Sequence, residues 1–127
     1  LDDFKNLNDT AGHAAGDRAL AAVGAALRKN CGDTAVIGRV GGEEFVIADC
    51  TGDPDPTATA ERLRRAIAAI PLPITASFGI TSTPLTDIST TNGRDLIDAL
   101  ICTADTAMYD AKRAGGNRVC HRPHRAA

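Results

Sequence analysis

The sequence predicts an α+β domain in which helices flank an antiparallel-rich sheet. Segments with the apolar spacing of helices alternate with short β-rich runs, in the order helix, β-hairpin, helix, strand, helix, strand. The 127 residues are 43% hydrophobic and 24% charged, a composition typical of a globular chain with its own core. The length is that of one domain.

Four segments are predicted to form helices, because their apolar residues recur every three or four positions. They cover residues 4–12, 16–30, 57–70 and 94–114. Gly12 is predicted to end the first helix, and Gly115 and Gly116 the last, as glycine does at helix C-termini. The side chains predicted to face the core are Leu20, Val23, Leu27, Leu63, Ala66, Ile67, Ile70, Ile97, Leu100, Ile101, Ala104, Met108 and Ala111.

Four β-rich runs are predicted to form strands. They cover residues 35–40, 44–49, 73–81 and 117–122, the last as an edge strand. Gly41 and Gly42 separate the first two runs, and we expect them to supply the positive φ angles of a hairpin turn. Residues 123–127 are predicted to be a disordered tail.

Charge and cysteine usage exclude several classes of protein. The net charge of −2 leaves no basic stripe for a nucleic-acid backbone, so a phosphate ligand must be held by local groups. The four cysteines form no Cys-x-x-Cys pair, which argues against a zinc site and for free thiols in a reducing compartment. Without a signal peptide or a long apolar stretch, we expect a cytoplasmic location and no membrane contact by this segment.

Two adjacent carboxylates, Glu43 and Glu44, follow the glycine pair at the tip of the predicted hairpin. Gly41 and Gly42 leave the backbone bare for close approach by a ligand. Mg²⁺ prefers oxygen ligands and keeps positions for substrate phosphates, so such a tip suits it. A solvated acidic turn is the alternative interpretation.

A second cluster of polar residues precedes the hairpin: Asp2, Asp3, Lys5, Asn8, Asp9, His13 and Asp17. The acids at its start could complete a metal site beside the hairpin, and Lys5 could meet a phosphate. An amide and a carboxylate, here Asn8 and Asp17, can pair with the donors and acceptors of a guanine edge. Helix capping and turn formation are the alternatives for these two residues.

Four ordered motifs resemble those of the GGDEF family, the diguanylate cyclases. They are DDFKNLND-x₃-H-x₃-D, RVGGEEF, ITASFGI and ADTAMYDAKRAGGN, and they span nearly the whole chain. The resemblance implies a ferredoxin-like, palm-type fold similar to that of nucleotidyl cyclases. It also implies that two GTP molecules condense to cyclic di-GMP with loss of two pyrophosphates, in a homodimer with facing sites that uses Mg²⁺ or Mn²⁺.

The same resemblance implies a role for each matching residue. The metal would be held by Glu43 and the backbone carbonyl of Leu1, with Glu44 as the second catalytic acid. The substrate-binding residues would be Lys5 and Lys112 on the phosphates, Asn8 and Asp17 on guanine, Gly41 and Gly42 beneath the nucleotide, and His13 from the same motif as Asp17.

The sequence departs from the family pattern in three places. The aspartate that the family has just before Leu1 is not in this chain, nor are the first helix and most of the first strand, so we expect residues 1–122 alone to be a poor catalyst. Gly116 takes the place of an arginine that clamps the triphosphate. Residues 32–35 lack the R-x-x-D site of product inhibition. The alternative is therefore an inactive module that binds GTP or cyclic di-GMP and regulates a partner domain, and we expect an upstream sensory domain in the parent.

Overall fold

Four helices and four strands follow one another in the residues that the computed structural model describes, which are 1–52, 55–84, 86 and 92–124. The predicted α+β class and the predicted order of elements are confirmed. The elements are α1 Phe4–Ala11, α2 His13–Asn30, β1 Val36–Arg39, β2 Phe45–Ala48, α3 Thr57–Ala68, β3 Phe78–Ile80, α4 Gly93–Arg113 and β4 Val119–His121.

The strands form two separate pairs. Strands β1 and β2 are an antiparallel hairpin, with Val36 opposite Ala48, whereas β3 and β4 run parallel. Residues 1 and 2 connect the two pairs: the backbone nitrogen of Leu1 donates to the carbonyl oxygen of Glu43 at 3.1 Å, and that of Asp2 to the carbonyl oxygen of Thr75 at 2.8 Å. The start of the chain therefore lies between the hairpin and the segment that leads into β3.

The connection between β1 and β2 differs from the predicted tight turn. The backbone nitrogen of Val40 donates to the carbonyl oxygen of Glu44 at 2.9 Å, which closes a loop over residues 40–44. Among the described glycines, positive φ angles occur at Gly12, Gly115 and Gly116, so the prediction for Gly41 and Gly42 was wrong. A loop of this length reverses the chain without a two-residue turn, and so without the positive φ angles that such turns require.

The main core lies between α2, α3 and the segment before β3. Val23, Leu27 and Ile67 are the largest fully buried side chains, and Leu63 is also buried, as predicted. Leu1, Phe4 and Leu7 pack into the same cluster. This packing fixes the first turn of α1, and with it the polar residues of the second cluster, against the start of α2. The other residues of the core cluster are Ala15, Ala19, Ile74 and Ala76.

Helix α4 agrees with its prediction at Ala111, which is buried, but not at two isoleucines in its first half. Ile97 and Ile101 were expected to face the core but are 57% and 45% exposed, whereas Leu96 and Ala107 are buried. A methyl group added to Gly79 would overlap the backbone of α4 at Ala104 and Met108, so the helix crosses β3 where that strand has no side chain. Ile97 and Ile101 lie seven positions before Ala104 and Met108, on nearly the same face of the helix. This face therefore meets β3 in the second half of α4 and is exposed in the first half.

Several boundaries also differ from the prediction. Helix α2 begins at His13 rather than at residue 16, and β3 covers only Phe78–Ile80 of the predicted run 73–81. The earlier part of that run pairs through a single bridge, between Thr75 and Asp2. Residues 125–127 of the predicted tail lie outside the described residues. No helix in the described part of the chain is long and apolar enough to cross a membrane.

Candidate active site

A cavity of about 330 Å³ lies where the first residues, the hairpin loop and the end of α4 meet. Four of the residues predicted for the metal and the phosphates line it, from three distant parts of the sequence. Its lining residues are Leu1, Asp2, Asp3, Phe4, Lys5, Glu43, Thr75, Lys112, Gly115 and Gly116. We call this cavity the phosphate end of the site.

The two hairpin carboxylates have different surroundings. Glu43 is half-buried and lines the phosphate end, and its carbonyl oxygen accepts the hydrogen bond from Leu1. Glu44 is exposed, and its side chain lies against Gly41, where an added methyl carbon would stand 3.7 Å from Oε2 of Glu44. The loop therefore separates the two side chains, which removes the repulsion that adjacent like charges would have on one face.

Two lysines bring positive charge to the phosphate end. Lys112 lies in the last turn of α4, is half-buried, and its Nζ donates to the carbonyl oxygen of Leu1 at 3.2 Å. Lys5 is exposed in the first turn of α1. The lysines stand 107 positions apart in the sequence, and only the packing of α4 over β3 brings them to the same cavity.

Asp2 connects three segments around the same cavity. Its Oδ2 accepts hydrogen bonds from Thr75 Oγ1 and from the backbone nitrogen of Asn117, both at 2.8 Å, and its Oδ1 accepts one from Ser77 Oγ at 2.7 Å. Burial raises the pKa of this carboxyl, but the hydrogen bonds from Ser77, Asn117 and Thr75 and the charge of Lys112 outweigh it, so the pKa is lowered. The Asp2 carboxylate is thus held in place by three protein donors from two other segments of the chain.

A turn over residues 115–117 follows α4 and forms one wall of the phosphate end. Gly115 and Gly116 have φ angles of 125° and 75°, as predicted for glycines that end a helix. Nε of Arg118 donates to the carbonyl oxygen of Gly116 at 3.1 Å, which places a guanidinium group beside the turn. We call residues 115–117 the 115–117 turn.

The predicted guanine-binding residues lie on the two sides of Gly12. Asn8 is on α1, and its Oδ1 is buried without a hydrogen-bond partner among the described residues. Buried polar atoms are nearly always paired, so an unpaired oxygen at this position is unusual. Asn8 packs directly on Gly16 of α2, where an added methyl carbon would overlap Oδ1 and stand 2.9 Å from Cγ.

Asp17 lines a second cavity, of about 370 Å³. Leu20, Ala21 and Phe45 supply its apolar part, and Arg39 the other charged group. Nη1 of Arg39 also donates to the carbonyl oxygen of Gly42 at 3.3 Å, so the end of β1 is tied to the hairpin loop. An apolar slot beside a carboxylate suits a planar base that presents N–H donors. We call Asn8, Gly16 and this cavity the base end of the site.

Comparison with known proteins agrees with these motifs and this fold. A family profile described as "Diguanylate cyclase, GGDEF domain" matches residues 1–118. The chain belongs to the GGDEF family. The resemblance inferred from the four motifs is thereby confirmed.

Individual members of the GGDEF family are similar to this chain at the level of sequence and fold. Diguanylate cyclase DgcP of Pseudomonas aeruginosa is 40% identical over 94% of this chain, which spans 18% of that relative's length. The active GGEEF domain of a diguanylate cyclase from Vibrio cholerae is 30% identical, with a TM-score of 0.75 over 99% of this chain and 79% of that domain. The GGDEF domain of DgcB from Caulobacter crescentus, in complex with c-di-GMP, is 27% identical with a TM-score of 0.75, over 94% of this chain and 72% of its own.

The oxygen donors at the phosphate end fit a hard divalent cation. No three His, Cys, Asp or Glu side chains cluster as a metal site in the described residues. Glu43, which carries a carboxylate, and Leu1, whose carbonyl oxygen already accepts from Lys112, both line this cavity. Mg²⁺ commonly takes only one or two carboxylates from the protein and completes its shell with water and phosphate oxygens, so this sparse donor set suits it, and Mn²⁺ likewise.

Not every predicted residue of the GGDEF site lines one of the two cavities. His13 is exposed at the first position of α2, and Asn8, Gly41, Gly42 and Glu44 lie beside the cavities rather than along their walls. A methyl carbon added to Gly42 would meet nothing within 4 Å, so the tip of the loop is open to solvent.

The sequence interpretation missed several residues that shape the site. Two of them, Arg39 and Gly16, could have been found from the sequence, because they lie directly before VGGEEF and directly before Asp17. The others, without such a local signal, are Thr75, Ser77 and Asn117, whose hydrogen bonds to Asp2 span at least 73 positions. Arrangements of this second kind depend on how β3 and α4 pack, which no local pattern reveals.

Proposed function

We propose that this chain is the catalytic domain of a diguanylate cyclase, which condenses two GTP molecules to cyclic di-GMP and releases two pyrophosphates. One observation carries the proposal: Leu1, Lys5, Glu43 and Lys112 meet around a single cavity. Two cations, a carboxylate and a carbonyl oxygen form a set that suits a triphosphate with its metal. The names of the relatives, DgcP among them, support the same activity.

At the base end, the domain would hold guanine by its hydrogen-bonding edge. The buried Oδ1 of Asn8 would accept from a base N–H and so gain the partner it lacks. The carboxylate of Asp17, at the rim of the apolar slot, would accept from the neighbouring donors of guanine. Adenine presents a different set of donors and acceptors on that edge, so this pair favours GTP over ATP.

At the phosphate end, the domain would position the triphosphate and neutralise its charge. Lys5 and Lys112 would lie against the outer phosphates, and Glu43 with the Leu1 carbonyl oxygen would hold Mg²⁺ or Mn²⁺. When bound, the cation stabilises negative charge on the reacting phosphate and lowers the pKa of a nearby hydroxyl. Lys112 Nζ now bonds to the Leu1 carbonyl oxygen, so it would exchange this partner for phosphate when the nucleotide binds.

The reaction requires two copies of the domain. The 3′-oxygen of one GTP forms a bond to the α-phosphorus of the other, pyrophosphate leaves, and the hydroxyl proton passes to a base, for which Glu44 is the candidate. Each domain offers one nucleotide site, so two sites must face each other for both bonds to form. A symmetric homodimer provides this arrangement.

A regulatory module without turnover is the second candidate function. Gly116 takes the place of the arginine expected from the family pattern, which removes one contact with the triphosphate. The DgcB domain solved with c-di-GMP shows that a related fold binds the product. In this case the chain would bind GTP or cyclic di-GMP and pass the signal to a partner domain, with an upstream sensory domain in the parent.

Incubation with GTP and Mg²⁺, followed by chromatography of the nucleotides, tests the proposal. This chain is compared with a form extended upstream to restore the family's aspartate before Leu1. We expect cyclic di-GMP from the extended form, and Glu43→Gln to lower its rate at least about 100-fold, as loss of a metal-binding carboxylate should. Asp98→Asn, an exposed change on α4, is the control. Binding of GTP without product would assign the regulatory function, and no binding of GTP would contradict both.

A further inference from the structure

We propose that Asp2 is a positioning residue that holds the 115–117 turn, and through it Lys112, in place at the phosphate end. The inference concerns a residue for which the sequence suggested only a metal-binding role. Its geometric part is independent of the reaction, whereas its consequence for GTP rests on the proposed function.

The Asp2 carboxylate has a partner on each side of the cavity. On one side, Thr75 and Ser77 donate to its two oxygens and fix it to the segment that leads into β3. On the other side, the backbone nitrogen of Asn117 donates to Oδ2 at 2.8 Å. Asn117 has a φ of 49°, an unusual value for a residue other than glycine, so the bond to Asp2 supports a turn that is otherwise under strain.

The turn also packs on the carboxylate. A methyl carbon added to Gly116 would stand 3.2–3.3 Å from the three carboxyl atoms of Asp2, so the glycine backbone lies directly against this group. The carboxylate therefore sets the position of the turn both by a hydrogen bond and by contact. A side chain at position 116 would have to displace it.

The turn is joined directly to the end of α4 that carries Lys112. The backbone nitrogen of Gly115 donates to the carbonyl oxygen of Lys112 at 3.2 Å, and that of Gly116 to the carbonyl oxygen of Ala111 at 3.0 Å. Lys112 Nζ in turn reaches the carbonyl oxygen of Leu1, the residue before Asp2. Two connections thus join the start of the chain to the end of α4, and the Asp2 carboxylate forms one of them.

Three variants test this role. Asp2→Ala removes every bond of the carboxylate. Asp2→Asn keeps the shape, with its amide oxygen able to accept from Asn117 and its amide nitrogen able to donate to Ser77. Asp110→Ala is the matched control, because Asp110 also accepts two hydrogen bonds, from the guanidinium of Arg122 at 3.0 and 2.6 Å, but lies outside the cavity.

Two measurements distinguish a positioning role of Asp2 from a general effect on stability. Hydrogen exchange of the Asn117 amide, followed by NMR, reports the turn itself. The ratio of GTP affinity to guanosine affinity, measured with Mg²⁺ by NMR titration, reports the phosphate end relative to the base end. For Asp2→Ala we expect faster exchange and about tenfold weaker GTP binding, with guanosine binding unchanged, since the hydrogen bond that joins the 115–117 turn to a charged group is among those lost. Asp2→Asn should stay within about threefold of the parent chain, and Asp110→Ala should leave the ratio unchanged.

The outcomes distinguish this inference from the proposed function. Unchanged exchange of the Asn117 amide in Asp2→Ala, or an equal loss of GTP and guanosine binding, would overturn the positioning role. If the parent chain binds neither ligand, the proposed function fails, while the amide exchange still decides whether Asp2 holds the turn. Should Asp2→Ala not fold, Asp2→Ser takes its place, because its shorter side chain cannot span from Ser77 to Asn117.

Discussion

The base end and the phosphate end of the site are built in different ways. At the base end, Asn8, Gly16 and Asp17 lie within ten positions of one another, on two helices that meet at Gly12. At the phosphate end, Leu1 bonds to Lys112 and Asp2 to Asn117, across 111 and 115 positions. The base end leaves a buried oxygen without a partner, whereas the Asp2 carboxylate at the phosphate end has three donors.

The two ends therefore suit different tasks: the base end suits recognition of a base, and the phosphate end suits holding charged groups in place. A group that reads a base must keep hydrogen-bonding capacity for the ligand, so an unpartnered atom is expected at the base end. A surface that holds a triphosphate must keep several charges at fixed separations, which requires internal bonds among distant segments. Substitutions at the two ends should therefore differ in which part of GTP they affect.

The largest effect is expected from Gly16→Ala at the base end. The new methyl carbon would overlap Oδ1 of Asn8 and displace that side chain, so we expect the free energy of unfolding to fall by about 1–3 kcal/mol. Guanosine and GTP affinities should both fall at least about tenfold, because the base contact is lost in each. Gly24→Ala, on the same helix with nothing within 4 Å, is the control and should raise stability by about 0.5–1 kcal/mol. Equal stabilities of the two variants in urea would contradict the packing of Asn8 on Gly16.

Lys112→Met should affect the phosphate end alone. Loss of the ammonium group is expected to weaken GTP binding about tenfold, while guanosine binding stays unchanged. Arg113→Met carries the same change of charge one residue later, where the guanidinium lies over the ring of Tyr109 at 5.7 Å, and should leave both affinities unchanged. A similar loss in both variants would indicate a general electrostatic effect, and not a specific contact.

Ser77→Ala tests an internal hydrogen bond of the phosphate end through its effect on stability. Ser77 is buried and donates to Oδ1 of Asp2, so its removal leaves a carboxylate oxygen short of a donor. We expect the free energy of unfolding to fall by about 1–2 kcal/mol, measured in urea. The exposed Ser82→Ala should stay within about 0.5 kcal/mol of the parent chain. An unchanged free energy of unfolding in Ser77→Ala would show that Asp2 does not depend on this bond.

The smallest effect is expected from Arg64→Ala, which acts on the outer side of the 115–117 turn. Nη1 of Arg64 donates to Oδ1 of Asn117 at 2.8 Å, so its loss should reduce GTP affinity about two- to threefold and stability by about 1 kcal/mol. Arg64 donates to Glu61 as well, at 3.1 and 3.0 Å. Arg65 approaches the same carboxylate at 3.9 Å, but its side chain is 77% exposed and no bond to Asn117 is seen among the described residues. Arg65→Ala should therefore change neither quantity, and equal effects of the two variants would count against the contact with Asn117.

The sequence revealed the features that depend on nearby residues. Helical periodicity identified Val23 and Leu27 as core residues, and the glycines after α4 were correctly predicted to end it. The family motifs pointed to four of the residues that line the phosphate end, namely Leu1, Lys5, Glu43 and Lys112. These signals are local because helix formation, capping and loop chemistry are decided within a few positions.

Features that depend on packing were predicted incorrectly or not at all. Apolar periodicity suggested that Ile97 and Ile101 face inward, but both are exposed, because β3 meets α4 nearer its end, at Ala104 and Met108. The length of the hairpin loop, rather than its glycines, decides its φ angles. The role of Asp2 depends on three partners at least 73 positions away, so the sequence around it carried no information about that role.

The junction at Leu1 and Asp2 has a mechanical consequence. The β1–β2 pair carries Glu43 in its loop, and β3 of the other pair packs against α4, which carries Lys112. Backbone hydrogen bonds from Leu1 to Glu43 and from Asp2 to Thr75 connect the two pairs. Few bonds join the two pairs of strands, so a shift of one pair relative to the other would change the separation between Glu43 and Lys112. A force acting on residues 1 and 2 would therefore change the separation between the Glu43 carboxylate and the Lys112 ammonium group.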